Sequence, residues 1–328
     1  MLSVMRKLFV CLAVLSQVLT CRTIANAQAL NWQMDLVDTA IHVSGQISHS
    51  GVGAATYNGK LYVVYSDHST NGNLWLTYRV DQFNYATPVQ VPGAVVNNNP
   101  QVAVYNNKLY ISFTDPNGLL YIETSTNGVS FTNHGVCSNM FTNSGNPYES
   151  AYDSPSMAVF GGNLFIGFRT PKSGLGICLV TESPTQSYTA SAYYPASFSL
   201  GEAPGLGAFN GKLYVAYKDT TGSNFIYLGE STNGVSWTFS NAATGNHTSS
   251  QPSLATYNGV LYLGYRQNSS DNHFYYAYST DGVYFTNGAS TTPTMGGPPA
   301  LVVGPNGKFY NIFSQNSSSH YLSTAIGQ

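Results

Sequence analysis

One frame of residues returns six times along the chain, and this repetition constrains the fold more than any other feature. From Pro252 the sequence runs Pro-Ser-Leu-Ala-Thr-Tyr-Asn-Gly-Val-Leu-Tyr-Leu-Gly-Tyr; from Pro204 it runs Pro-Gly-Leu-Gly-Ala-Phe-Asn-Gly-Lys-Leu-Tyr-Val-Ala-Tyr. The frame recurs at Val52, Pro100, Pro155 and, with one extra residue, Pro299, at intervals of 48, 55, 49, 48 and 47 residues. Each copy reads as four short strands. A small-residue strand (253–257) meets Asn258-Gly259, the dipeptide of a tight type I′ hairpin. The second strand alternates, as in Leu213-Tyr214-Val215-Ala216-Tyr217. A polar turn leads to a third strand (225–230), and Ser231-Thr232-Asn233-Gly234-Val235-Ser236-Trp237 turns into the fourth. Four antiparallel strands repeated six times predict an all-β, six-bladed β-propeller, in which radial repetition hides most sheet edges. The sixth copy lacks a fourth strand, and residues 31–40 precede the first copy, so an N-terminal strand is expected to close the last blade.

Composition agrees with this and excludes other classes. Charged residues are 8% of the 328, aromatic residues 13%, and the formal net charge is −2. So many aromatics exclude a disordered chain. So few charges exclude a coiled coil, and the absence of a basic balance excludes nucleic acid as a partner. The first 27 residues read as a signal peptide: Arg6 and Lys7 precede an apolar run from Leu8 to Leu19, and Ala25-Asn26-Ala27 has the small-x-small form of a cleavage site. Residues 28–328 are then one propeller domain, expected to be a secreted monomer, extracellular or periplasmic, with no membrane insertion. Of the four cysteines, Cys137 and Cys178 remain after cleavage. An oxidising compartment permits a bridge between them, and two buried free thiols are the simpler expectation.

Ser125-Thr126-Asn127-Gly128-Val129-Ser130-Phe131, the turn from Ser231 to Trp237, and Ser279-Thr280-Asp281-Gly282-Val283-Tyr284-Phe285 resemble shortened Asp-box (BNR-like) turns. Such turns decorate the propellers of sialidases and arabinanase-type glycosidases, so the resemblance spans the six repeats and implies that architecture. Fold alone does not assign an activity. The repeated Asn, Asp and Gly are explained by turn chemistry, because these residues tolerate positive φ.

Connectivity separates two faces. The Asn-Gly hairpins and the Ser-x-Asx-Gly turns share one; the loops between blades and between strands two and three share the other, here called the mouth face. Three rings of equivalent positions lie there. The first holds Ser50, Asn98, Asp153, Glu202, Ser250 and Gly297; the second Ser66, Thr114, Arg169, Lys218, Arg266 and Ser314; the third Asp67, Asp115, Thr170, Asp219, Gln267 and Gln315. Asp153 and Glu202 stand in consecutive blades, roughly 7–9 Å apart if neighbouring inner strands splay modestly. Inverting glycosidases separate their acid and base by ~6.5–9.5 Å, which makes this pair the catalytic candidate. Asp153-Ser154-Pro155 and Glu202-Ala203-Pro204 resemble the carboxylate-x-Pro segments of arabinanase-type blades, although the first blade has Ser50 where those enzymes carry Asp.

Asp67, Asp115, Arg169, Lys218, Asp219 and Arg266 are the ligand-binding candidates of the same face. Tyr148 and Tyr152 join them from an insertion (138–152) that suits sugar recognition by stacking and amide contacts. Arg169, Lys218 and Arg266 form a cationic arc for an acidic sugar, or else balance Asp153, Glu202 and Asp219. A sialidase needs three arginines at its substrate carboxylate; Arg79, in a third strand, lies away from the cavity, and Lys218 lacks the bidentate fork. No cofactor or metal is expected: the seven histidines show no ligand spacing, and the loop from Asp67 to Gly72 lacks the closing Glu of a calcium loop. Asn246, Asn268 and Asn316 begin glycosylation sequons. The expected partner is therefore an oligosaccharide or polysaccharide, an acidic one included. Three functions stay open: a non-catalytic lectin-like module, a glycoside hydrolase (inverting or sialidase-like), and a scaffold that binds proteins.

Overall fold

The computed structural model describes residues 29–35, 51–67, 72–81, 84–137, 151, 153–171, 173–180, 188–193, 199–220, 222–240, 244–268, 270–290, 294–316 and 322–328. Twenty-four strands form six four-stranded antiparallel sheets, and the described residues contain no helix. Taking the sheets in chain order, the first blade is Gly53–Tyr57, Lys60–Ser66, Asn73–Arg79 and Val89–Val95 (β2–β5). The second is Gln101–Tyr105, Lys108–Thr114, Leu120–Ser125 and Thr132–Val136 (β6–β9). Ser156–Phe160, Asn163–Arg169, Leu175–Val180 and Tyr188–Tyr193 (β10–β13) make the third. Gly205–Phe209, Lys212–Lys218, Ile226–Ser231 and Thr238–Phe239 (β14–β17) make the fourth, and Ser253–Tyr257, Val260–Arg266, Phe274–Ser279 and Thr286–Asn287 (β18–β21) the fifth. The sixth has three strands in chain order, Ala300–Val303, Phe309–Ser314 and Leu322–Gly327 (β22–β24), and takes its fourth from Trp32–Asp35 (β1). The closing strand is the one the repeat count demands.

Local chemistry explains the blade. Asn58-Gly59, Asn210-Gly211 and Asn258-Gly259 all have positive φ at both residues, as a type I′ hairpin requires. The three Ser-x-Asx-Gly turns share one bond set. In the first, Ser125 Oγ accepts from Gly128 N (2.8 Å), while Asn127 Oδ1 accepts from Val129 N (2.9 Å) and Ser130 N (2.8 Å). Ser231 with Asn233, and Ser279 with Asp281, repeat it. These side chains are therefore structural. Second strands are buried nearly throughout, because each is covered on both sides by neighbouring blades. Inner strands crowd the axis: a Cβ on Gly53 would stand 2.7 Å from the Cα of Gln101 in the next blade.

Blades are tied by a bond that the repeat conceals. The amide that leads into each of the second to sixth blades donates to a carbonyl in the preceding blade's second-to-third-strand loop. The pairs are Val96 to Gly72, Ala151 to Gly118, Leu200 to Ser173, Thr248 to Asn224 and Met295 to Asn272, at 2.7–3.0 Å. Every acceptor residue has positive φ, between 52° and 80°. The Gly and Asn residues of these loops are thus placed by the left-handed backbone that aims the carbonyl sideways.

Cys137 and Cys178 correct the free-thiol expectation. They form a disulfide with Cα atoms 6.8 Å apart, joining the end of the second blade to β12 of the third. Both are buried.

Candidate functional site

The mouth-face residues take their positions from the ends of the first and second strands of each blade. Asp153 lies just before β10 and Arg169 ends β11; Glu202 lies just before β14 and Lys218 ends β15. The geometry turns these four into two ion pairs. Arg169 Nε is 3.8 Å from Asp153 Oδ2, and Lys218 Nζ is 3.2 Å from Glu202 Oε1. The carboxylate side chains keep 21% and 34% of their exposure, so both remain reachable from solvent.

Arg169 and Arg266 also act between blades. The Arg169 Nη1 donates to the carbonyls of Leu200 and Gly201, at the mouth of the fourth blade. Arg266, one blade before the last, donates from Nη1 to Gly296 O (3.0 Å) and Met295 O (3.5 Å), and from Nε to Ser249 Oγ (2.8 Å). Burial pulls the Arg266 guanidinium below its ordinary value, and the nearby Glu202 charge opposes that shift. Arg169 and Lys218 are thus each set against a carboxylate, whereas Arg266 is held by backbone carbonyls and a hydroxyl.

Four members of the third ring are buried: Asp67, Asp115, Thr170 and Asp219. Asp67 is buried and accepts from Asn73 N, Asn73 Nδ2 and Trp75 Nε1, each at 2.9 Å. Asp115 is buried and accepts from Asn117 N, Leu119 N and Asn117 Nδ2. Thr170, at the same position, accepts from Gly174 N. Asp219 is 2% exposed, and its amide donates to Phe225 O. The side chains of Asp67, Asp115 and Thr170 thus bond the amides of their own second-to-third-strand loops. Tyr148 and Tyr152 lie outside the described residues, as do Ser50 and His68 to Asn71. Asn246 is buried, with its amide oxygen accepting from Tyr265 Oη at 2.6 Å, so the folded sequon is inaccessible.

Beneath the ion pairs, a cavity of about 80 Å³ lies between the six inner strands. Gln251, 6% exposed, lines it and donates to Pro155 O (3.1 Å) and Pro204 O (2.8 Å) in the third and fourth blades. Asn99 takes part as well: its amide donates to Ser154 Oγ (2.9 Å), and its side chain accepts from Gly51 N. Gln251 and Asn99 were legible only as a departure. The ring that follows the carboxylates reads Gly51, Asn99, Ser154, Ala203, Gln251 and Pro298, and Gln251 has its longest polar side chain. Among its described residues, the mouth face therefore sets paired charges above Gln251. Among the described residues, no group of three or more His, Cys, Asp or Glu could hold a metal ion. No described helix is long and apolar enough to cross a membrane.

No family model matches the chain, and no curated protein does. Solved structures share its fold at low identity. An α-L-arabinofuranosidase from Clostridium thermocellum has a TM-score of 0.53 and 17% identity, over 74% of this chain and 94% of that one. The Aleuria aurantia lectin, in complex with Fucα1-6GlcNAc, has a TM-score of 0.60 and 12% identity, over 86% and 97%. Trypanosoma rangeli sialidase has a TM-score of 0.59 and 14% identity over 86% of this chain, which spans 55% of that protein. The chain thus has the propeller fold shared by sialidases, arabinanase-type glycosidases and these lectins.

Proposed function

We propose that the chain is a secreted, carbohydrate-binding propeller that takes glycan on its mouth face and does not hydrolyse it. The observation that carries this reading is the pairing of Asp153 with Arg169 and of Glu202 with Lys218 above Gln251. Each of these carboxylates is already engaged by a cation within 4 Å. Paired, fixed charges are good partners for hydroxyl groups, because donors and acceptors are already oriented. The fold neighbours include both lectins and glycosidases, which supports a carbohydrate ligand without choosing between the two. Secretion is supported by the Cys137–Cys178 bridge, since such bonds persist in oxidising compartments. The shortened Asp-box turns fit the same reading.

Hydrolysis by Asp153 and Glu202 is the second reading, favoured by their residual exposure. A glycan-array screen followed by product analysis on each hit separates the two. Binding without product, weakened about tenfold by Asp153→Asn or Glu202→Gln, is the expected result. Product formation that either substitution abolishes while binding persists would establish the hydrolase. The arc's contacts also predict that matched neutral and acidic oligosaccharides bind alike at low and high salt. A salt-sensitive preference for the acidic ligand, lost in Lys218→Ala, would restore the acidic-sugar role.

A further inference from the structure

A second candidate site lies between the first and second blades, reaching from the middle of their sheets to the mouth-face loop at Asp115–Asn117. At one position of the third strand, paired with the middle of the second, the six blades carry Thr77, Glu123, Cys178, Gly229, Ala277 and Ala325. Five of these are small and uncharged. Glu123 alone is a long acid, 5% exposed, and among the described residues its carboxylate accepts no hydrogen bond and joins no ion pair. Burial raises its affinity for a proton above the ordinary carboxylate value. Isolated buried carboxylates are costly, so such a group calls for a partner.

The surroundings have room for one. Glu123 lines a cavity of about 490 Å³ between β5 of the first blade and the second blade. Phe113 and Tyr121 form one wall, with centroids 5.6 Å apart and planes 12° from parallel. Asn133, opposite Glu123 in the strand register, and Asp115 complete the polar part. The lining holds two carboxylates and no basic residue. In the next gap, between the second and third blades, the same strand position is Cys178, and the disulfide to Cys137 crosses it. The first gap lacks that crossing and is open.

We propose that this cavity binds the primary ammonium group of a small ligand, with Glu123 as its counter-ion and the Phe113–Tyr121 wall beside its apolar part. A charge-assisted N–H bond to a carboxylate in a partly buried site is stronger than a neutral bond, and aromatic rings attract cations. The assignment does not rest on glycan binding at the mouth face. An amino sugar and a lysine side chain both carry the required group.

The test titrates the full chain with glucosamine, N-acetylglucosamine and Nα-acetyl-lysine methylamide near neutral pH, followed by NMR shifts of the Phe113 and Tyr121 rings. At least one of the two amines should bind about tenfold or more tightly than the neutral N-acetyl sugar, and the tighter amine identifies the source. Glu123→Gln, nearly isosteric, should abolish that preference. Asn133→Phe, at an exposed rim position, should block binding with Glu123 intact. Equal binding of charged and neutral probes, no binding of either amine, or an unchanged preference in both variants would overturn the site.

Discussion

Glu123 shows at the scale of one residue how burial converts a charge into a pH dependence. Its carboxyl is shifted upward by desolvation, so the folded chain holds the proton more tightly than the unfolded one. The stability this gives is fully present below the ordinary value of 4.5 and is lost as pH rises through the folded value. Glu123→Gln should therefore melt higher than the parent at about pH 7, with the gap closing towards about pH 4. A parallel offset at both pH values would show that the carboxyl is not desolvated. Asp281 shifts the opposite way: burial opposes its charge, but the Tyr284 and Val283 amides and the Ser279 hydroxyl hold the carboxylate below its usual range. Its role was legible in the sequence because Asn127 and Asn233 stand at the same point of the same turn. Asp67 and Asp115 were less legible. A charge in a polar loop reads alike whether it faces a ligand or caps the loop, and the sequence does not show the bonds these two accept from the amides of Asn73, Asn117 and Leu119.

At the scale of elements, periodicity specified strands, hairpins and their order, while contacts between blades escaped it. The Cys137–Cys178 bridge is the clearest case. The residues are 41 apart, one after the last strand of a blade and one inside the third strand of the next. Only the lateral packing of two sheets brings them together, and no spacing within one repeat encodes that. The left-handed Gly72, Gly118, Asn224 and Asn272 were visible as loop residues, yet their common task, aiming a carbonyl at the next blade, was not. Closing a loop of this length by a disulfide removes unfolded-chain entropy worth about 4 kcal/mol. The double substitution Cys137→Ala with Cys178→Ala should thus lower the unfolding free energy by about 2–4 kcal/mol in chemical denaturation. Blocking of both thiols by an alkylating agent in the unfolded, unreduced chain would show instead that no bridge had formed.

At the scale of the whole molecule, six blades make a ring only if the last one is completed by the start of the chain. The repeat count foresaw this, because the sixth copy ended one strand short. What it did not foresee is the anchor. β1 pairs with β24 from Trp32 opposite Gly327 to Asp35 opposite Thr324, and Asn31 and Gln328 exchange backbone bonds at 2.8 and 3.1 Å. Trp32, 8% exposed, packs edge-on against Phe274 of the fifth blade at 5.2 Å, and Tyr276 Oη donates to Leu30 O at 2.6 Å. The N-terminal strand therefore completes the sheet of one blade and seals its packing against another. Trp32→Ala should cost about 3–5 kcal/mol, the range for removing a buried Trp from a core. A chain shortened to begin after Asp35 loses both the anchor and the partner of β24, leaving an unpaired edge that invites association. The substitution should lower the melting temperature without changing sedimentation; the truncation should add concentration-dependent aggregation. If the truncated chain melted and sedimented like the parent, ring closure would not depend on this strand, and the sixth blade would have to find its outer edge elsewhere.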